Sequence, residues 1–195
     1  MQENIIGVDI GKLHLVPYDP RWAEVYANDE LQLRKVLGEL GESIEYHHVG
    51  STAIPTVRLS KPMIDMLLGV NDEKEIVQIC EKLEADGFRK KGDACGTYHG
   101  EEIYIRGEKG HTNHLHVLRI GSPQYQDILL FKEYMLAHPQ EAEKYTRLKE
   151  QLIQDEKTSI FFGYTDAKED FVIATLQKAK RFHKEQNKGY AGIMI

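Results

Sequence analysis

The chain has 195 residues, enough to bury one full hydrophobic core and within the usual size of a single domain. Its 41% hydrophobic and 29% charged residues are those of an ordinary globular protein and exclude disordered and fibrous classes. With 25 basic against 31 acidic residues the formal charge is -6, which offers no general attraction to polymeric nucleic acid or to an anionic membrane, although a local basic pocket remains compatible with it.

The opening Met1-Gln2-Glu3-Asn4-Ile5-Ile6 lacks the basic and apolar segments of a secretory signal, and no apolar run is long enough to span a bilayer, so a cytoplasmic location is expected. Asp19-Pro20 reads as an N-cap followed by proline, and Trp22, Val25, Tyr26, Leu33, Val36, Leu37 and Leu40 recur on one helical face up to Gly38–Gly41. Ser43–Val49 reads as a strand that runs into the turn Gly50-Ser51-Thr52. Met63–Val70 is a short apolar run bounded by Pro62 and Asn71-Asp72, the pattern of a buried central strand, with Asp65 inside it. A helix over Glu73–Asp86 should stop at Gly87, and its Cys80 reads as a buried thiol; with Cys95 the only other cysteine, no disulfide is expected.

Glu101–Arg106 and His114–Ile120 read as a hairpin across Gly107-Glu108-Lys109-Gly110, its loop extended by the polar Lys109–Asn113. Ser122-Pro123 opens a helical last third, with helices over Gln124–Ala137, Gln140–Asp155 and Asp166–Phe182. Residues 183–195 read as a loose tail or an oligomer contact. No repeat or linker divides the chain, so one domain is expected over 1–195 with its core in 15–182.

Asp65 is the first residue that asks for chemistry, because an ionised carboxylate inside Ile64-Asp65-Met66-Leu67-Leu68 needs a partner to offset its desolvation. A structural ion pair and a cation or substrate site both answer that need. Strand alternation puts Met63, Asp65 and Leu67 on one face, so the strand offers a single acid where a two-metal site wants several. His114 and His116 share a strand face by the same alternation and could hold a phosphate or a metal or act as acid and base. Gly50, Ser51 and Thr52 can offer backbone N–H groups and hydroxyls to phosphate oxygens, or simply turn the chain. Lys61 can supply a positive charge to a phosphate, pair with Asp65, or face solvent.

His48-Val49-Gly50-Ser51-Thr52-Ala53-Ile54-Pro55, then Lys61-Pro62-Met63-Ile64-Asp65, then His114-Leu115-His116-Val117 together resemble the GrpB family. Val16-Pro17-Tyr18-Asp19-Pro20-Arg21-Trp22 is similar to that family's opening. Phe131-Lys132-Glu133-Tyr134, His138-Pro139, Tyr145, Leu148-Lys149, Tyr164 and Lys168 are similar to its helical end. The resemblance implies an α+β, nucleotidyltransferase-like fold: a mixed β-sheet with flanking helices, a Gly-Ser turn at Gly50-Ser51, and a metal-binding acid at Asp65 on the following strand.

It further implies a nucleotidyl or phosphoryl transferase acting on a small nucleotide or coenzyme A-related metabolite, since a related domain is fused to dephospho-coenzyme A kinases. In that reading His48, Gly50, Ser51, Thr52 and Lys61 bind substrate, Asp65 with His114 and His116 is catalytic, and Asp65 holds a divalent cation, magnesium or manganese. Two alternatives stand beside it. Leu67 replaces the second acid of many nucleotidyltransferases, as a non-catalytic module binding a nucleotide or phosphometabolite would allow, and Asp65 with two histidines also suits a metal-dependent hydrolase. Thr56, Lys132, Glu133 and Leu136 depart from the family's glycine, arginine, aspartate and arginine. A homo-oligomer is left open.

Overall fold

The computed structural model describes residues 5–9, 14–90, 102–106, 110–154 and 167–191. In chain order these form β1 (Val8–Asp9), β2 (Val16–Pro17), α1 (Trp22–Leu37), α2 (Glu39–Glu42), β3 (Glu45–Val49), a 3-10 turn at Ser51–Ala53, β4 (Leu59–Ser60), β5 (Ile64–Val70), α3 (Glu73–Ala85), β6 (Arg89–Lys90), β7 (Glu102–Arg106), β8 (Gly110–His111), β9 (Asn113–Arg119), α4 (Pro123–Ala137), α5 (Pro139–Gln154) and α6 (Glu169–Ala191).

The main sheet has the order β3-β5-β9-β7-β6. β5 and β9 run parallel, and every other pairing in it is antiparallel, so the fold is α+β with a mixed sheet. The expected hairpin of β7 and β9 is present. Gly110–His111, expected as loop, instead adds a short antiparallel pairing with β1.

β5 is buried on both faces: Ile64, Met66, Leu67, Leu68 and Val70 are all closed to solvent, as the uninterrupted apolar run requires of a central strand. On one face Ile64, Met66, Leu68, Leu115 and Val117 pack with Trp22, Leu33 and Leu37 of α1 and Ile79 and Leu83 of α3. On the other Val49, Leu67 and Leu118 pack with Tyr125 of α4. Gly69 makes room there, since a Cβ would stand 2.6 Å from the Tyr125 ring. Strand parity therefore sends Asp65, beside Leu67, toward the helical last third of the chain.

Most local signals have their expected structural effect. Gly87 takes φ +88° after α3 and Ser122 caps α4 through Tyr125 N–H at 3.2 Å, while Asp72, read only as the end of the apolar run, also caps α3 through Lys74 N–H at 2.9 Å. Asp19 differs: the helix begins only at Trp22, and the Asp19 carboxylate instead accepts from Arg21 N–H at 2.9 Å and from its guanidinium, tightening the turn before α1. α6 runs to Ala191, through most of the segment expected to be loose, because Lys184, Glu185 and Gln186 are good helix formers and no stop precedes them. Cys95, the turn at 107–109, Tyr164 and residues 192–195 lie outside the described residues. Among those described, no helix is long and apolar enough to cross a membrane.

Candidate functional site

Register builds the site. Asp65 on β5 stands opposite Val49 of β3 and beside His114 of β9, and Leu67 stands beside His116, so the acid and both imidazoles share the sheet face that meets α4. Asp65 Oδ1 lies 3.1 Å from His114 Nδ1, and the His114 and His116 rings are 4.7 Å apart. The carboxylate keeps 22% of its side-chain surface open and His114 12%, so the group is recessed yet reachable. Burial pushes the Asp65 carboxyl up, but the His114 hydrogen bond and the charges of His114, His116 and Lys168 outweigh it and hold the group below the usual carboxylate range.

Gly50 closes one side of that carboxylate. Its φ is +68°, and a Cβ there would fall 2.1 Å from Asp65 Oδ2 and 2.7 Å from its Cγ. Both facts demand glycine: the backbone conformation, and the approach of the turn onto Asp65.

Ser51, next along, meets α5. Lys149 Nζ donates to Ser51 Oγ at 2.6 Å and to the Leu59 carbonyl at 2.8 Å, and lies 4.4 Å from the centre of the Tyr145 ring. Lys149 is 2% exposed, and among the described residues its partners are a hydroxyl, a carbonyl and an aromatic face, with no carboxylate. Burying an ammonium without a paired anion is costly. Burial, then the charge of Lys168, push its amine well below the ordinary lysine value; Asp65 opposes this and Lys61 adds to it. The charges of Lys61, in a loop, and Lys168, in the turn before α6, thus both reach Lys149, and that of Lys168 also reaches Asp65.

His48 and Thr52 stand apart from this group. His48 pairs with Met66 and so faces the α1 side, where its ring stacks on Tyr26 at 4.8 Å and its Nε2 lies 3.0 Å from Thr52 Oγ1. Thr52 is 2% exposed and donates to the Met63 carbonyl at 3.4 Å. Burial lowers the His48 imidazole to about 4, with Asp65 opposing and Lys132 adding to the shift, so the ring is neutral at physiological pH. Lys132 of α4 donates to the His48 carbonyl at 2.7 Å and ties that helix to the end of β3. These two residues, expected to bind substrate, buttress the turn from behind.

Of the sequence-derived candidates the fold brings together Gly50, Ser51, Asp65, His114 and His116, with the charge of Lys61 close enough to act on Lys149. It adds Lys149, Lys168 and Tyr145, which the sequence marks only as parts of a family pattern. A cavity of about 490 Å³ lined by Ile6, His14, Val16, Tyr18, Trp22 and Pro62 includes none of these residues.

A divalent cation would find one carboxylate and two imidazoles, with Leu67 wholly buried where a second acid would stand. Magnesium favours six oxygen donors, so this set does not fit a magnesium pair.

Comparison with known proteins settles the family: a model described as GrpB protein matches residues 12–178. The chain belongs to the GrpB family. It is 33% identical over 183 residues to the UPF0157 protein YqkA of Bacillus subtilis, a match spanning 94% of this chain and 52% of that protein. The chain thus spans about half the length of that relative. A UPF0157 protein of Halalkalibacterium halodurans is 30% identical over 165 residues, with 85% of this chain and 81% of that one covered. The crystal structure of the conserved protein GrpB from Enterococcus faecalis superposes with TM-score 0.74 at 25% identity, over 87% of this chain and 99% of that chain.

Proposed function

We propose that this GrpB protein binds a small phosphorylated molecule, a nucleotide or a coenzyme A-related metabolite, and transfers a nucleotidyl or phosphoryl group from it. One observation carries the reading: Lys149 is buried with no carboxylate partner among the described residues and is bonded to Ser51, on the turn that closes over Asp65. A phosphorylated molecule is the ligand that suits such a lysine, because a phosphate oxygen accepts charge-assisted hydrogen bonds from an ammonium group and from the Ser51 hydroxyl.

In this reading Ser51, Lys61, Lys149 and Lys168 hold the phosphates, the Gly50 turn admits them close to the sheet, and Asp65 with His114 sits where the reacting group arrives. Asp65 fixes His114 through its 3.1 Å hydrogen bond, which holds the pair in one orientation beside the Gly50 turn. The Gly-Ser turn and single strand acid agree with the nucleotidyltransferase-like pattern implied by the sequence resemblance. Partners are then small molecules rather than polymeric nucleic acid, and a cytoplasmic location suits such substrates.

A thermal-shift and turnover screen of nucleoside triphosphates and coenzyme A derivatives, with magnesium or manganese, tests the proposal on the wild type and Asp65→Asn. Ligand-dependent stabilisation in both proteins with product only in the wild type is the expected outcome. Stabilisation without product in either favours the non-catalytic binding module, for which Leu67 in place of a second acid speaks. Indifference of both proteins to every phosphorylated ligand refutes the proposal.

A further inference from the structure

The donor set that rejects a magnesium pair points to a different ion. Asp65 Oδ1 and His114 Nδ1 stand 3.1 Å apart, and one donor atom from each of Asp65, His114 and His116 lies within 4.8 Å of the others. On a first-row ion with bonds of about 2.0–2.2 Å, neighbouring donors stand about 3–3.5 Å apart. The first pair is therefore already at ligand spacing, and a rotamer-scale adjustment of His116 completes the triangle.

A metal site needs more than one neutral donor beside Asp65, since a single imidazole would leave the ion with two protein ligands. The fold supplies two, from positions 114 and 116 of β9, and holds both against β5 through the parallel register. Strands fix these side chains more tightly than loops would, and the three share one recessed spot. Two imidazoles and a carboxylate suit borderline transition ions far better than hard, oxygen-seeking magnesium.

We propose that Asp65, His114 and His116 form a single-ion site for a first-row transition metal, Zn²⁺ or Fe²⁺, in place of a paired magnesium centre. Three protein ligands leave coordination positions open, and Asp65 itself lies against the Gly50-Ser51 turn, where a Cβ on Gly50 would fall 2.1 Å from its Oδ2. The assignment shares Asp65 with the transfer reading and does not depend on it, since metal binding and phosphate binding are read separately.

The test titrates chelator-stripped protein, free of any histidine tag, with Zn²⁺, Fe²⁺, Co²⁺ and Mg²⁺ by calorimetry, and records the visible absorption of the Co²⁺ form. One equivalent is expected, with Zn²⁺ or Fe²⁺ binding at least a hundredfold more tightly than Mg²⁺ and a Co²⁺ spectrum showing nitrogen donors. His116→Gln should weaken binding tenfold or more, and the metal-free thermal midpoint of that variant reports whether its fold is intact. Should it fail to fold, Asp65→Asn gives the same reading. Lys149→Met should still bind one equivalent of metal while losing phosphorylated ligands. Absence of stoichiometric binding, equal preference for Mg²⁺, or a folded His116→Gln or Asp65→Asn protein with wild-type affinity would overturn the proposal. A metal-replete protein that binds no phosphorylated ligand would instead count against the transfer reading alone.

Discussion

Lys149 Nζ lies 2.6 Å from Ser51 Oγ, a contact that joins residues 98 positions apart and pins α5 to the Gly-Ser turn. The same lysine closes on the Leu59 carbonyl, so one buried side chain links the turn, β4 and the helical third. Lys149→Met keeps the volume and removes the charge. The account predicts at least a tenfold loss of affinity for a phosphorylated ligand, or about 1.4 kcal/mol, read by calorimetry. Its own thermal midpoint should change less than that of Lys149→Ala, which leaves a cavity as well.

Ligand binding should raise the Lys149 amine. Burial holds Lys149 well below its ordinary 10.5, whereas the unfolded chain keeps that value. Between the two the unfolded state carries more protons, so this lysine costs stability there and the cost fades as pH rises toward 10.5. An arriving phosphate favours the charged form and opposes that downward shift. Calorimetry in buffers of different ionisation enthalpy, repeated at rising pH, should show proton uptake in the window between the free and the ligand-bound amine, and none attributable to this group in Lys149→Met.

Gly50→Ala is expected to disable the crevice. The added Cβ meets Asp65 Oδ2 at 2.1 Å and Cβ at 2.8 Å, so rotation of the carboxylate alone cannot relieve it, and φ of +68° adds strain. A loss of about 1–3 kcal/mol in unfolding free energy is expected, together with loss of metal and phosphate binding. Denaturant melts and the same titrations check both.

His48 should make the protein acid-sensitive above the range of ordinary carboxylates. Its imidazole falls from the ordinary 6.5 to about 4, so as pH drops below 6.5 the unfolded chain takes the proton first and stability is lost until about pH 4. The full difference corresponds to about 3 kcal/mol. His48→Gln should flatten this segment of the stability profile, measured by urea melts from about pH 7.5 to about pH 4.5.

Much of this site is legible in the sequence. Asp65 announces itself as a charge in an apolar strand, and His114 with His116 by period-two spacing. What the sequence lacks is register. Nothing in residues 63–70 and 113–119 says that β5 and β9 lie parallel with Asp65 beside His114, and that pairing alone turns two separate signals into one cluster. The same gap explains His48, whose face depends on Val49 rather than His48 standing opposite Asp65. Lys149 is harder still to find: in Arg147-Leu148-Lys149-Glu150 it looks like a solvated helix position, and only the docking of α5 against Ser51 buries it. The end of α6 escapes a reading based on periodicity because residues 183–191 carry few apolar positions to mark a packed face, although their helix propensity is high.

The most direct test is a crystal structure of the protein soaked with a nucleoside triphosphate and a divalent metal. The account predicts phosphate density in contact with Ser51 Oγ and Lys149 Nζ, bordered by Asp65 and His114. Phosphate density elsewhere, in the cavity beside Trp22 and Tyr18 or on the outer surface, with the Ser51–Lys149 contact unchanged, would contradict it.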